Sequence, residues 1–224
     1  MILRVKPARR RWLAHCSAAL VLAVVGGAMP SLVAAAAPRV RKILIVGDSL
    51  SAEYGLVRGS GWVALLEQRL SREHAGTTVV NASISGDTTS GGLARLPALL
   101  REHKPDLVVI ELGGNDALRG LPLPNTRANL AEMARLSKAA KARVVLVGMQ
   151  LPPNYGRGYG ERFASLFADV ASAEGAALVP FMLKGVADIP NAESMFQADR
   201  IHPLATAQPA ILANVWPVLE PLLR

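Results

Sequence analysis

Three short runs in this chain are apolar at every position: Ile43-Leu44-Ile45-Val46, Leu107-Val108-Val109-Ile110 and Val144-Val145-Leu146-Val147. A strand with one wet face alternates polar and apolar residues. An unbroken run of Val, Ile and Leu must instead be covered on both faces. Segments with helical spacing lie between the runs. Residues 62–70 are apolar at 62, 63, 65, 66 and 70, and residues 93–100 at 93, 96, 99 and 100. Residues 125–142 are rich in Ala, Leu, Lys and Arg, and two more helices are expected over 160–173 and 205–219. Pro97 should kink the second helix or sit near its start, and Pro217 should interrupt the last. Weaker strand signals occupy 77–81 and 177–181. Buried strands alternating with helices predict an α/β protein, a three-layer α/β/α sandwich around a five-stranded parallel sheet. The chain is 51% hydrophobic but only 4% aromatic, which favours one such domain over a β-sandwich.

The first 37 residues read differently. Arg4, Lys6, Arg9, Arg10 and Arg11 precede an apolar stretch over 18–33, and Ala34-Ala35-Ala36-Ala37 follows with small residues suited to cleavage. This is the pattern of a secretory signal peptide, so residues 1–37 are expected to direct export and 38–224 to form the folded domain. Localisation would then be periplasmic or secreted. The charge changes with it. The whole chain carries +8, whereas residues 38–224 hold 20 basic and 17 acidic residues, a net +3. The basic balance belongs largely to the export segment and does not point to a nucleic-acid partner. The one cysteine, Cys16, also lies there. The domain itself then has no thiolate nucleophile, disulfide or Cys-ligated metal.

In a parallel sheet, sites form at the carboxyl ends of strands. Four polar segments should gather there or nearby. Gly47-Asp48-Ser49-Leu50-Ser51 ends the first strand, and Ser83-Ile84-Ser85-Gly86-Asp87-Thr88 follows the second. Gly113-Gly114-Asn115-Asp116 follows the third, and Asp199-Arg200-Ile201-His202-Pro203 lies beyond the fifth. Ser49 on a strand-ending turn is a candidate nucleophile if a base and an oxyanion site accompany it. The Asp-x-x-His spacing can fold the Asp199 carboxylate back onto the Nδ1–H of His202. Nε2 is then free to take a proton from Ser49. The backbone N–H groups of Ser49 and Gly86 and the side-chain amide of Asn115 could hold an oxyanion. His74 and His103 fall at helix ends and read as structural, which leaves His202 as the base. Asp87 and Asp116 read as turn or capping residues, and Asp48 as a brace of its own turn. Trp62 and Trp216 read as packing residues, and Gly156-Arg157-Gly158-Tyr159-Gly160 as a mobile loop near the site.

The four segments together resemble the signature blocks of the SGNH hydrolases, the GDSL esterase/lipase family. The likeness spans essentially all of residues 38–224. It implies a flavodoxin-like strand order of 2-1-3-4-5, with Ser49, Asp199 and His202 as catalytic residues. Ser49, Gly86 and Asn115 would be the oxyanion donors. Leu112-Gly113-Gly114-Asn115-Asp116-Ala117-Leu118-Arg119-Gly120 and Leu151-Pro152-Pro153-Asn154-Tyr155-Gly156 are similar to a narrower subgroup. These are the bacterial multifunctional acyl-CoA thioesterases, also described as lysophospholipases and arylesterases. That likeness implies a periplasmic monomer needing no cofactor or metal. Its substrates would be small-molecule acyl esters and thioesters of medium or long chain, with transient lipid contact. Two rival readings are a carbohydrate O-acetylesterase of the same family and a non-enzymatic periplasmic binding module. Scarcity of aromatic residues, which sugar platforms use for stacking, weighs against the first.

Overall fold

The computed structural model describes residues 40–224, and the expected export signal at 1–37 lies outside the described residues. Strands β1 (Lys42–Gly47), β2 (Thr78–Asn81), β3 (Leu107–Glu111), β4 (Arg143–Val147) and β5 (Ala177–Val179) form one parallel sheet ordered β2-β1-β3-β4-β5. The three unbroken apolar runs are β1, β3 and β4, the central strands, and their side chains are almost wholly buried. The edge strands β2 and β5 are short and half-exposed, as edges commonly are.

Helices cover both faces. One face carries α1 (Trp62–Glu73) packed on α6 (Gln208–Leu219). The other carries α2 (Thr89–His103), α4 (Leu123–Ala139) and α5 (Arg157–Glu174) side by side. Trp62, Leu66 and Leu70 of α1 and Ile211, Val215 and Leu219 of α6 lie on inward stripes of helical period. Burying each such side chain stabilises the fold by about 1.5–3 kcal/mol. The first turns of these two helices are also tied, because Gln208 Oε1 accepts from Trp62 N at 3.0 Å.

Several local expectations are corrected. Pro97 lies inside α2 and not near its start, because the helix begins at Thr89 after Thr88 caps it by accepting from Gly91 N. Pro217 likewise lies within α6 and does not interrupt it. A five-residue helix, α3 (Gly114–Leu118), stands where only a turn was expected. The glycine-rich segment read as a loop already forms the first turn of α5 from Arg157 onward, and Tyr159 of that turn donates to Ala117 O at 3.3 Å.

Gly148 shows how tightly the β4–β5 exit is packed. A Cβ there would stand 2.4 Å from Pro180 O and 2.9 Å from Val179 O, both backbone atoms. Relief requires moving the neighbouring chain, so Gly148→Ala should destabilise the protein by about 1–3 kcal/mol. Thermal unfolding should show a Tm several degrees lower, and an unchanged Tm would contradict this packing.

Candidate active site

The strand order determines what meets at the carboxyl edge. With β1 beside β3, Gly47 is registered opposite Glu111, so the turn after β1 lies against the end of β3. A Cβ on Gly47 would sit 2.8 Å from both Glu111 Oε2 and Ser51 Oγ. Only glycine leaves room for that carboxyl group. Glu111 Oε2 accepts from Ser51 Oγ at 2.7 Å and from Asp48 N at 3.3 Å, which fastens the turn to β3. Trp62 Nε1 donates to Ser51 Oγ at 3.2 Å, and Asn81 Nδ2 donates to Ser51 O at 2.8 Å. Ser51 therefore anchors the turn while the half-buried Ser49 stands at its outer side.

Asp199 and His202 arrive from the irregular chain between β5 and α6. Around them the backbone folds back on itself. Phe196 and Pro203 form an antiparallel bridge, Gln197 N donates to His202 O at 2.8 Å, and Leu204 N donates to Met195 O at 2.8 Å. Arg200, at the tip, has φ +58°, a left-handed conformation that costs a non-glycine residue energy and clusters at functional sites. The turn is held open by Asp199 itself, whose Oδ1 accepts from Ile201 N at 2.9 Å and His202 N at 3.0 Å.

The sequence-expected contacts are present. Asp199 Oδ2 lies 2.6 Å from His202 Nδ1, and His202 Nε2 lies 2.8 Å from Ser49 Oγ. Partial burial works against the Asp199 charge. The N–H groups of Ile201 and His202 and the imidazole outweigh it and hold the carboxyl at about 2. Tyr54 lies over the imidazole, with ring centroids 4.3 Å apart, and Gln197 Nε2 donates to Tyr54 O at 2.9 Å. These two contacts link the turn after β1 to the histidine loop.

The three expected oxyanion donors occupy the same edge. Gly86 has φ +78°, which suits glycine, and Arg119 donates to its carbonyl at 2.7 Å, fixing the peptide plane. Among the described residues, the N–H groups of Ser49 and Gly86 have no hydrogen-bond acceptor. Asn115 lies in the first turn of α3, and its Nδ2 donates to Asp48 Oδ2 at 3.0 Å. Asp116 braces the same helix against α2 by accepting from Thr89 N at 2.9 Å. Asp87 accepts from Thr88 N and from Arg95 Nε, each at 2.9 Å. His74 and His103 sit at the ends of α1 and α2, away from this edge. Among the described residues no group of His, Asp and Glu is placed to hold a metal ion.

The matching family model is described as the GDSL-like lipase/acylhydrolase family, and it covers residues 45–208. The chain belongs to this family. It is therefore a carboxylic ester hydrolase by class, and its sheet is the family's sheet. It is 58% identical over 181 residues to Esterase TesA of Pseudomonas aeruginosa, covering 81% of this chain and 89% of that one. It is 43% identical over 182 residues to thioesterase 1/protease 1/lysophospholipase L1 of Escherichia coli K12, covering 81% and 85%. A crystal structure of TesA superposes with a TM-score of 0.78 at 57% identity, over 81% of this chain and 99% of that one.

Two acids of this family site were not foreseen in the roles they take. Glu111 was passed over, although an acid closing an otherwise apolar strand is a signal in itself. Asp48 braces its own turn as expected, by accepting from Leu50 N at 3.0 Å, but it also grips Asn115. Burial drives both carboxyls upward. Asp48 is raised to about 6 by desolvation, against the hydrogen bonds and the imidazole that favour its charge. Glu111 is raised well above its ordinary value by complete burial and then by the Asp48 charge. Burial thus works against the charge of each carboxyl, and the nearness of the two adds to it.

Proposed function

We propose that this chain is an exported serine hydrolase that cleaves acyl esters and thioesters through an acyl-enzyme on Ser49. The observation that carries this reading is the unbroken line Ser49 Oγ, His202 Nε2, His202 Nδ1, Asp199 Oδ2, at 2.8 and 2.6 Å. Ser49 Oγ attacks the carbonyl carbon as His202 Nε2 takes the hydroxyl proton. Asp199 keeps the Nδ1–H tautomer and stabilises the imidazolium. The N–H groups of Ser49 and Gly86 and the free Nδ2–H of Asn115 receive the negative oxygen of the tetrahedral intermediate. Collapse breaks the bond to the alcohol or thiol, which leaves with the proton from His202. Water then gives its proton to His202, attacks the acyl carbon and releases the acid, and the proton returns to Ser49.

The substrate class follows from the similar proteins and from the walls of the site. The relatives are named as an esterase and as a thioesterase and lysophospholipase. The rim carries exposed apolar side chains, Tyr54 and Ile84 after β1 and β2, Leu121 after α3 and Ile201 beside His202. A cleft of about 410 Å³ on the same sheet edge has Leu151 and Pro152 on one side and the first turns of α5 on the other. The cleft also carries Gln150, Arg157 and Glu161, so it is the apolar rim that favours an acyl chain over a sugar. In this reading the protein is a monomer, and residues 1–37 direct it to the periplasm or out of the cell.

The test is a chain-length series of p-nitrophenyl esters, with an acyl-CoA thioester assayed in parallel. Octanoyl or longer esters should give a kcat/KM at least about tenfold above acetyl, the effect of burying several methylenes. A strict acetyl preference would favour the O-acetylesterase reading instead. Absence of hydrolysis of any ester by pure protein would leave a binding module.

A further inference from the structure

Two of the oxyanion donors come from separate pieces of chain, Gly86 from the turn after β2 and Asn115 from the first turn of α3. One oxygen can accept from both only if the gap between them suits it, and a misplacement of about 1 Å can cost roughly 10²-fold in rate. The sheet does not set this gap by direct pairing. β2 and β3 are not neighbours, because β1 lies between them. The two donors therefore meet across the end of β1.

Arg119 bridges them. It stands one helical turn after Asn115, and its N–H donates to Asn115 O at 3.2 Å. Residues so spaced leave a helix on the same side. Its Nη2 donates to Gly86 O at 2.7 Å, and a Cβ on Gly86 would stand 3.5 Å from the same nitrogen. What Arg119 grips is the tip of a turn. Asp87 N donates to Ile84 O at 3.0 Å, and Gly86, the third residue of that turn, has φ +78°. The base of the turn is fastened elsewhere. Ile84 N donates to Gly47 O at 3.0 Å, and Arg95 donates to Asp87 and to Ala82 O. Gly86 has no side chain to hold it, and among the described residues its carbonyl accepts from Arg119 alone.

We infer that Arg119 is a positioning residue, a strut that fixes the spacing between the Gly86 and Asn115 donors. The inference rests on the reading of both as oxyanion donors. Arg119 bonds the carbonyl of Gly86 and leaves its N–H free, so it acts through the donor peptide. A charged donor makes the stronger class of hydrogen bond, which suits a contact at an exposed position. The length of the side chain matters as much as its charge, because the strut has to span from the end of α3 to the turn after β2.

Arg119→Met keeps the apolar stem and removes every donor. It should lower kcat for a p-nitrophenyl ester about tenfold, with KM within about threefold. An alkyl trifluoromethyl ketone reads the oxyanion site directly. Ser49 Oγ adds to its carbonyl carbon, His202 takes the proton, and the carbonyl oxygen becomes the negative oxygen of a stable tetrahedral adduct. Its Ki should rise by about the factor by which kcat/KM falls. Arg119→Lys keeps a cationic donor on a stem one bond shorter and should stay within about threefold of wild-type kcat. A wild-type kcat for Arg119→Met would overturn the inference, as would an unmoved Ki or a lysine variant no better than methionine. Asn115→Ala tests the reading beneath it and should lower kcat by roughly 10²–10³. If Asn115→Ala leaves kcat and Ki unchanged, the oxyanion reading itself fails. If only Arg119→Met does so, the strut alone fails. Circular dichroism checks folding. Should Arg119→Met not fold, Arg119→Gln, whose amide is too short to reach Gly86 O, takes its place.

Discussion

Replacing Ser49 with alanine is expected to lower turnover by about 10⁴-fold or more, and His202→Ala to do nearly as much. The two side chains act as one device. Ser49 Oγ becomes nucleophilic only as its proton leaves for Nε2, 2.8 Å away, and Nε2 has no other proton to take at that moment. The double variant should therefore be no worse than the poorer single one, since each alone removes the whole step. What remains should be the slow attack of water on an ester held in the oxyanion site. Labelling by a fluorophosphonate probe reads the same device directly. It should disappear in Ser49→Ala and fall steeply in His202→Ala. A Ser49→Ala protein that still labels, or that keeps one hundredth of wild-type turnover, would remove Ser49 from the mechanism. Ser49→Ala should shift stability by no more than about 0.5 kcal/mol, whereas His202→Ala also gives up the contacts to Asp199 and Tyr54 and should cost more.

Asp199→Asn should cost about 10²–10⁴ in kcat. The two oxygens of Asp199 do separate work. Oδ1 accepts two backbone N–H groups and shapes the turn, while Oδ2 faces Nδ1. An asparagine can keep its single oxygen on the backbone side, and the turn then survives. Its NH2 would face Nδ1 and favour the tautomer with the proton on Nε2, which can no longer accept from Ser49. Folding and substrate binding should be preserved while kcat falls, and a proportionate loss in KM alone would contradict the assignment. The Asp199 carboxyl sits at about 2, below its ordinary value. Its stabilising contribution is therefore complete above about pH 4 and is lost as the pH falls through about 2. An acid limb in the activity profile near neutral pH accordingly belongs to other groups of the site.

The parts of this protein that could be read in the sequence are those where one local pattern has one physical solution. A run such as Leu107-Val108-Val109-Ile110, short and rich in β-branched residues, is solved by a strand covered on both faces, and the covering helices follow from that. Ser49 and Asn115 were legible because parallel topology gathers strand ends onto one edge, and His202 because Asp199 precedes it by three residues. What escaped depends on neighbours that local pattern does not reveal. The start of α5 was hidden by glycines of weak helix propensity, and its tie to α3, from Tyr159 to Ala117 O, depends on the fold. α3 was hidden because Gly114-Asn115-Asp116 is also the composition of a turn. The second grip of Asp48 exists only because β1 lies beside β3 in that register, bringing Asn115 to the Asp48 carboxylate and Glu111 to the Asp48 N–H.

The loop that carries Asp199 and His202 has a separate consequence. Ser49 extends from a central strand whose neighbours are paired on both sides, whereas its base rides on 28 residues, 180–207, that contribute no strand to the sheet. Its first part is anchored by the buried Met182, Leu183 and Val186 and by Asn214 Nδ2 on Met182 O and Lys184 O, whereas the part around the base is secured by one short bridge, a few turns and the clasp between Gln197 and Tyr54. Local openings draw on such thinly bonded segments long before a paired core yields. Opening of this clasp would carry the base away from Ser49 while every strand stays in place. Durability of the catalyst and durability of the fold are two different properties here, held by different parts of one chain.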